Sequence, residues 1–228
     1  MIERTHMLAI ATEGVYRPQE DSQLLIDALE RSGEVPGRRV LDLCTGSGVV
    51  AIAAAHLGAE HVTALDICPR AVEYATANAA SAAADVDVRL GTWNEALNWE
   101  PFDLVVCNPP YVPTSPAVDP GSVAPWAGPA TAWDGGADGR MILDPLCDVA
   151  GAMLAEGGSL FLVQSEFSGV EESLTRLSWS GLKTEVVVTQ SIPWGPVVTA
   201  QADWLRETGR LHDGRDDEVL VVIRADKP

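Results

Sequence analysis

"VLDLCTGSGVVAIAAA", residues 40–55, decides the fold of this 228-residue chain. It opens as an apolar strand, turns on two glycines and continues into an alanine-rich helix. Gly46 and Gly48 permit positive φ and close approach of a ligand to the backbone. The helix behind them offers unpaired N–H groups to whatever the loop holds. Outward from this unit, short apolar runs alternate with helical patterns. Strands are expected at 39–43, 61–66, 86–90, 102–107, 159–164, 183–189 and 218–224. Helices are expected at 49–57, at 69–82 with Pro69 in the first turn, and at 138–154, stopped by Gly157-Gly158. Two more follow, one capped by Ser168 and ending near 179, the other capped by Thr199 and ending near 208. Strands alternating with helices of ten or more residues imply an α/β fold: a mostly parallel seven-stranded sheet with helices on both faces. One amphipathic helix, 22–31, precedes the first strand and is expected over the sheet's carboxyl edge.

Composition narrows the function classes. Hydrophobic residues make up 46% of the chain, enough to bury a real core. Fifteen Lys plus Arg against 33 Asp plus Glu give a formal charge of −18, and no basic cluster interrupts it. Such a surface repels nucleic acid and anionic lipid. Cys44, Cys68, Cys107 and Cys147 are widely spaced, and His6, His56, His61 and His212 are scattered, so no metal site is expected. No stretch is long and apolar enough for a membrane span, the start of the chain lacks a leader pattern, and a reduced, cytoplasmic protein is expected.

Two further features sit where strands end. Asp66 closes the second strand about 20 residues beyond the glycine loop, where nucleotide-binding sheets place an acid on ribose hydroxyls. The plain alternative is a cap for the helix from Pro69. Spacing alone leaves NAD open, but the pattern DxCxGxG is a poor dinucleotide fingerprint. Asp42 suits a cationic group such as the amino end of an amino acid. The fourth strand then runs into "CNPPYVP" (107–113). Asn108 supplies an amide acceptor, Pro109 and Pro110 remove two N–H donors, and Tyr111 offers a flat face. That pocket suits a planar –NH2 group, and accepting both its hydrogens turns the nitrogen lone pair out of the conjugated plane. The plain alternative is a rigid turn with Tyr111 packed on the core. A long Pro- and Gly-rich loop follows, about 109–137, carrying Trp126 and Trp133.

Four stretches together resemble a known family: "VYRPQEDSQLLIDAL" (15–29), "VLDLCTGSGVVAIAA" (40–54), "FDLVVCNPPYVP" (102–113) and "WDGGADGRMILDPL" (133–146). The chain resembles the Rossmann-like class I S-adenosylmethionine-dependent methyltransferases, more closely the HemK-type glutamine N5-methyltransferases and their short branch acting on translation release factors. The resemblance implies that Asn108 and Pro109 hold the target amide, with Pro110, Tyr111 and Trp133 beside it. It implies that Asp42, Cys44, Thr45, Gly46 and Gly48 line the cofactor's amino-acid end, with Asp66 and Ile67 at its nucleoside. Pro18, Asp21 and Ser22 would fold over the methionine moiety. Cys44 departs from the usual glycine, and Gly91-Thr92 from the usual Gly-Asp at adenine. It implies two regions, 1–37 over the cofactor site and 38–228 as the methyltransferase domain, a release factor-like protein substrate, and in some relatives a small activator protein. A small-molecule N-methyltransferase and an adenine N6-methyltransferase are the rival enzymes, the second disfavoured by charge. A non-catalytic cofactor-binding scaffold is the third alternative. The turn at Pro193-Trp194-Gly195-Pro196 reads as a substrate rim or as a packed hairpin connection.

Overall fold

The computed structural model describes residues 14–119, 121, 123–124 and 127–228, so His6 and Trp126 lie outside the described residues. The first helix, α1 (Glu20–Ser32), precedes an alternating run: β1 (Arg39–Leu43), α2 (Val49–His56), β2 (His61–Asp66), α3 (Pro69–Ser81) and β3 (Asp87–Leu90). After the one-turn α4 (Trp93–Ala96) come β4 (Phe102–Cys107), α5 (Leu143–Met153), β5 (Leu154–Ser165) and α6 (Val170–Trp179). The chain closes with β6 (Lys183–Pro193), α7 (Pro196–Glu207) and β7 (Asp217–Asp226).

The seven strands form one sheet in the order β3-β2-β1-β4-β5-β7-β6. The first five run parallel, and β7 inserts antiparallel between β5 and β6. Successive strand residues point to opposite faces, so burial of every residue from Leu104 to Cys107 means that both faces are covered. The order reverses between β1 and β4, whose register pairs Leu43 with Cys107. Their carboxyl ends therefore flank the crevice where open α/β sheets bind ligands. The glycine loop leaves β1 on one side of it, and Asn108 leaves β4 on the other. Helix α1 packs beside α2 and crosses β5, β7 and β6, with only its first turn reaching the crevice.

Several boundaries differ from the sequence expectation, each for a local reason. The expected helix 138–154 starts only at Leu143, because Asp138 first closes a turn by accepting from Arg140 N at 3.0 Å. It stops at Met153, and Gly157-Gly158 lie inside β5. There a register shift between Phe102 and Leu104 absorbs the extra residues. Ser168 caps no helix: its hydroxyl donates to the Ser165 carbonyl at 2.8 Å, and Gly169 precedes α6. Thr199 lies within α7, which starts at Pro196, and its hydroxyl bonds back to the Gly195 carbonyl. The short α4 escaped periodicity, but Thr92 and Glu95 close a capping box around it. Among the described residues no helix is long and apolar enough to cross a membrane.

Candidate active site

The glycine loop is built around Asp42. This side chain, 1% exposed, accepts from Thr45 Oγ1 at 2.6 Å and from Ala51 N at 3.0 Å. Burial pushes its carboxyl up to about 7, against those two hydrogen bonds. Asp66 ties the loop to the next helix: it accepts from Gly46 N and from Cys68 N, each at 2.8 Å. Asp66 faces the crevice and fixes the turn into α3 through Cys68 N, but it caps no helix, since α3 has no side-chain cap. Each carboxylate oxygen has a second lone pair for a hydroxyl. Gly46, at φ 56, keeps the positive φ expected of it. At Gly48, φ 83, an added Cβ would press on Ala75 of α3 at 3.0 Å. Cys44 holds the left-handed conformation at φ 57, so a residue with a side chain stands where a glycine costs nothing.

Above the loop lies a cavity of about 410 Å³, within the size range of small-molecule sites. It is lined by Pro18, Ser22, Asp42, Cys44, Thr45, Gly46, Asp66, Ile67, Gly91, Thr92, Asn108 and Pro110. Ile67 is 72% exposed at its lip, an apolar surface suited to the face of a ring. Two further residues of that wall, Tyr16 and Trp93, were not singled out from the sequence. Of the expected cofactor residues, Gly48 and Asp21 do not line it. Gly48 sits behind the loop, and Asp21 points to the far side of Asn108. Thr92 lines the cavity, but its hydroxyl is engaged in the α4 cap, where it accepts from Asn94 N at 3.3 Å. The set fits S-adenosylmethionine: a buried acid for the ammonium end, a second acid for the ribose diol and an exposed apolar side chain for the base.

Asp21 organises the NPPY turn instead. Its Oδ2 accepts from Tyr16 OH at 2.9 Å, Asn108 Nδ2 at 3.0 Å and Tyr111 OH at 3.2 Å. Its Oδ1 accepts from Ser22 N at 2.6 Å. Because a carboxylate only accepts, the Asn108 NH2 must face Asp21 and the Asn108 oxygen must face away. Burial first, and then the Asp21 charge, pushes both Tyr16 and Tyr111 well above the usual phenol range, so both remain donors. The two proline rings keep backbone donors out of the turn.

Beside Asn108 a second, smaller pocket of about 70 Å³ holds Pro109, Tyr111, Trp133, Asp21 and Glu218. Glu218, on β7, accepts from Ser165 Oγ at 2.9 Å, and burial pushes its carboxyl up to about 7 despite that bond. No motif or spacing pointed to this residue. The rigid turn after β6 also reaches this pocket through Pro193, Gly195 and Pro196, whereas Trp194 anchors the turn by donating from Nε1 to the Asp217 carbonyl. The loop after NPPY is stitched back onto it: Val112 N donates to the Trp133 carbonyl, and Gly135 N to the Val112 carbonyl. Arg140 locks the end of that loop to the start of α6 through the Ser168 and Gly169 carbonyls and Ser173 Oγ. Among the described residues no cluster of three metal-ligating side chains occurs.

Comparison with known proteins matches this architecture to methyltransferases. A family profile described as ribosomal protein L11 methyltransferase matches residues 20–109, which run from α1 to the end of the β4 strand and its Asn108-Pro109. A Methanocaldococcus jannaschii protein, MJ0928, provisionally named a protein N5-glutamine methyltransferase, is 32% identical over 82% of this chain and 91% of its own length. The release factor glutamine methyltransferase of Mycolicibacterium smegmatis is 36% identical over 64% of the chain, which spans about half (52%) of that enzyme. Among solved structures, Mtq2 in the Encephalitozoon (E. cuniculi) Mtq2–Trm112 complex, responsible for methylating the termination factor eRF1, aligns with a TM-score of 0.61. It is 26% identical and covers 94% of this chain and 99% of that one. The chain belongs to the HemK-type family of class I S-adenosylmethionine-dependent methyltransferases, that of the protein N5-glutamine methyltransferases.

Proposed function

We propose that the protein methylates the side-chain amide nitrogen of a glutamine in a protein of the translation release factor class. The observation that carries this reading is the small pocket beside Asn108. It holds about 70 Å³ against about 410 Å³ for the neighbouring cavity, and Asn108, Pro109 and Tyr111 on its wall form the acceptor-rich turn that suits the planar –NH2 of an amide side chain. The −18 charge works against nucleic acid in the same direction, and MJ0928 and the release factor enzymes support a glutamine acceptor.

S-adenosylmethionine supplies a sulfonium methyl group that is already activated. The chain's own residues do the rest. Asp42, Thr45 and Gly46 hold the amino-acid end, Asp66 the ribose and Ile67 with Thr92 the base. Residues 14–37 close over the methionine end through Pro18 and Ser22, and loop 109–137 borders the acceptor. Asn108 Oδ1 and the Pro109 carbonyl accept the two amide hydrogens. Accepting both favours the pyramidal nitrogen of the transition state over the planar ground state, and holding the nitrogen in line supplies much of the rate. Asp21 keeps Asn108 in the one orientation that does this. A small partner protein like that of Mtq2 belongs to the same proposal.

Purified protein with labelled S-adenosylmethionine and a release factor tests the reading. Label mapped to a glutamine supports it; label confined to nucleic acid or to a metabolite fraction rejects it.

A further inference from the structure

Among the described residues of the acceptor pocket, Glu218 is the buried ionisable group that the mechanism above leaves without a task. In register it lies beside Ile192 of β6, and it shares a strand face with Leu220, two residues on. All three line the small pocket, so this face of the sheet is its wall. Glu218 Oε2 accepts from Ser165 Oγ at 2.9 Å. Oε1 has no hydrogen-bond partner among the described residues, yet it is not sealed, whereas the unpaired Trp133 Nε1, Gln164 Oε1 and Gln201 Nε2 are. The residue is only 6% exposed, so the open surface of Oε1 lies on the pocket side.

The other groups of that wall are engaged or of the wrong kind. Asp21 already accepts from Tyr16, Asn108 and Tyr111 on one oxygen and from Ser22 on the other. Tyr16 and Tyr111 stay protonated and donate to Asp21. The Asn108 and Pro109 oxygens are neutral and hold the amide hydrogens. Glu20 is exposed at the rim, where water weakens its field.

We propose that Glu218 is a further catalytic residue: its Oε1 faces the positive charge that arrives on the amide nitrogen and takes the proton that this nitrogen sheds. This rests on the amide reading above and adds the destination of the proton. Transfer forms the N–CH3 bond as the S–CH3 bond breaks, so positive charge passes from the larger cavity into the small pocket. A carboxylate fixed there, away from water, favours that shift. One N–H bond then breaks, its electron pair stays on nitrogen, and the proton bonds Glu218 Oε1. The acid returns it to water when the product leaves. Burial, and then the Asp21, Glu166 and Glu20 charges, raise this carboxyl to about 7 against the Ser165 hydrogen bond. The nearby cation, Arg215, is paired with Glu166 and Asp217. Below that pH Glu218 is a neutral acid and cannot accept, so transfer slows as pH falls.

Two arms test the proposal separately from the reading it rests on. In the first, n-propylammonium stands in for the positively charged nitrogen, with S-adenosylhomocysteine filling the larger cavity. Saturation-transfer NMR titrations follow its binding to the wild type and to Glu218→Gln, which keeps an oxygen for Ser165 Oγ. Wild-type binding is expected to tighten about tenfold from pH 6 to pH 8. Glu218→Gln should weaken it at pH 8 by at least about tenfold and flatten the dependence. In the second arm, kcat for a release factor is measured at saturating cofactor, so that Asp42 drops out of the pH profile. Wild-type kcat should rise about tenfold between pH 6 and pH 8, and Glu218→Gln should lower it by about 10²-fold at pH 8 and remove the slope. An unchanged Tm and S-adenosylhomocysteine affinity establish that the variant is folded. Ammonium binding that is absent or indifferent to Glu218→Gln, or a kcat profile that survives the substitution, overturns the proposal. So does a slope that vanishes in Glu20→Gln instead, and flat wild-type profiles overturn it without any variant. Glu218-dependent ammonium binding with no methylation of the release factor rejects that substrate and leaves the role of the carboxylate standing.

Discussion

Asn108 is oriented by a carboxylate 87 residues earlier in the chain, Asp21. Replacing Asn108 by Ala removes an acceptor needed only while the amide nitrogen pyramidalises. We expect kcat to fall by about 10²–10³-fold in the methyl-transfer assay, the loss typical of one transition-state hydrogen-bond partner. Asp21→Ala should act through Asn108: kcat falls while calorimetric cofactor affinity holds, since Asp21 faces the acceptor pocket. Asp42 predicts a pH dependence. Burial raises its carboxyl to about 7, and an ammonium beside it would favour the charged form. Below that pH the carboxyl must lose a proton before the ammonium is well held, so binding weakens as pH falls. Between pH 8 and pH 6 the cofactor Kd should rise about tenfold, and Asp42→Asn should flatten that slope. The placement of Asn108, Asp42 and Asp66 at the crevice was legible because residue type and strand-end position together point to it. Asp21's partner was not, because nothing local in 20–22 announces a contact with 108. Glu218 was illegible for the same reason: it sits at the start of a strand and acquires its role only when β7 lies beside β5.

Elements carry the next level of constraint. The 133–140 segment folds back on the NPPY turn, and Gly139 leaves no room there for a side chain. Gly139 has φ 78, and a Cβ there would collide with the Tyr111 carbonyl oxygen and press on Ser168. Gly139→Ala should therefore destabilise the protein by more than about 2 kcal/mol, from the left-handed backbone and the forced shift together. Thermal unfolding would register this as a clear drop in Tm. All seven strands were legible, the central ones as apolar runs because both their faces are buried. By contrast, β3 and β6 lie at the sheet's edges and keep most of their residues exposed or half-buried. Helix starts were less legible. Ser168 and Thr199 are ordinary capping residues by type, but Gly169 and Pro196 set the starts of α6 and α7, and both hydroxyls turn back to carbonyls. Likewise Gly157-Gly158 read as a helix stop, whereas the chain used them in the β5 irregularity, where Lys227 N donates to the Gly158 carbonyl.

At the scale of the whole molecule, the strand-order reversal between β1 and β4 brings the glycine loop and the NPPY turn to one crevice, with the larger cavity and the small pocket meeting at Asn108. This placement follows from β–α alternation, which is why the position of the site was readable before its walls were. The overall charge sets a further expectation. With −18 on the chain, fluorescence anisotropy should detect no binding of duplex DNA at physiological salt. The central claim, that this crevice methylates an amide, meets its most direct test in one experiment. Labelled S-adenosylmethionine is incubated with the protein and a release factor, and the labelled residue is identified by mass spectrometry, with Asn108→Ala alongside. Label on a glutamine amide nitrogen, lost in the variant, is the predicted result. Label on an amine, or transfer that survives Asn108→Ala undiminished, would contradict it.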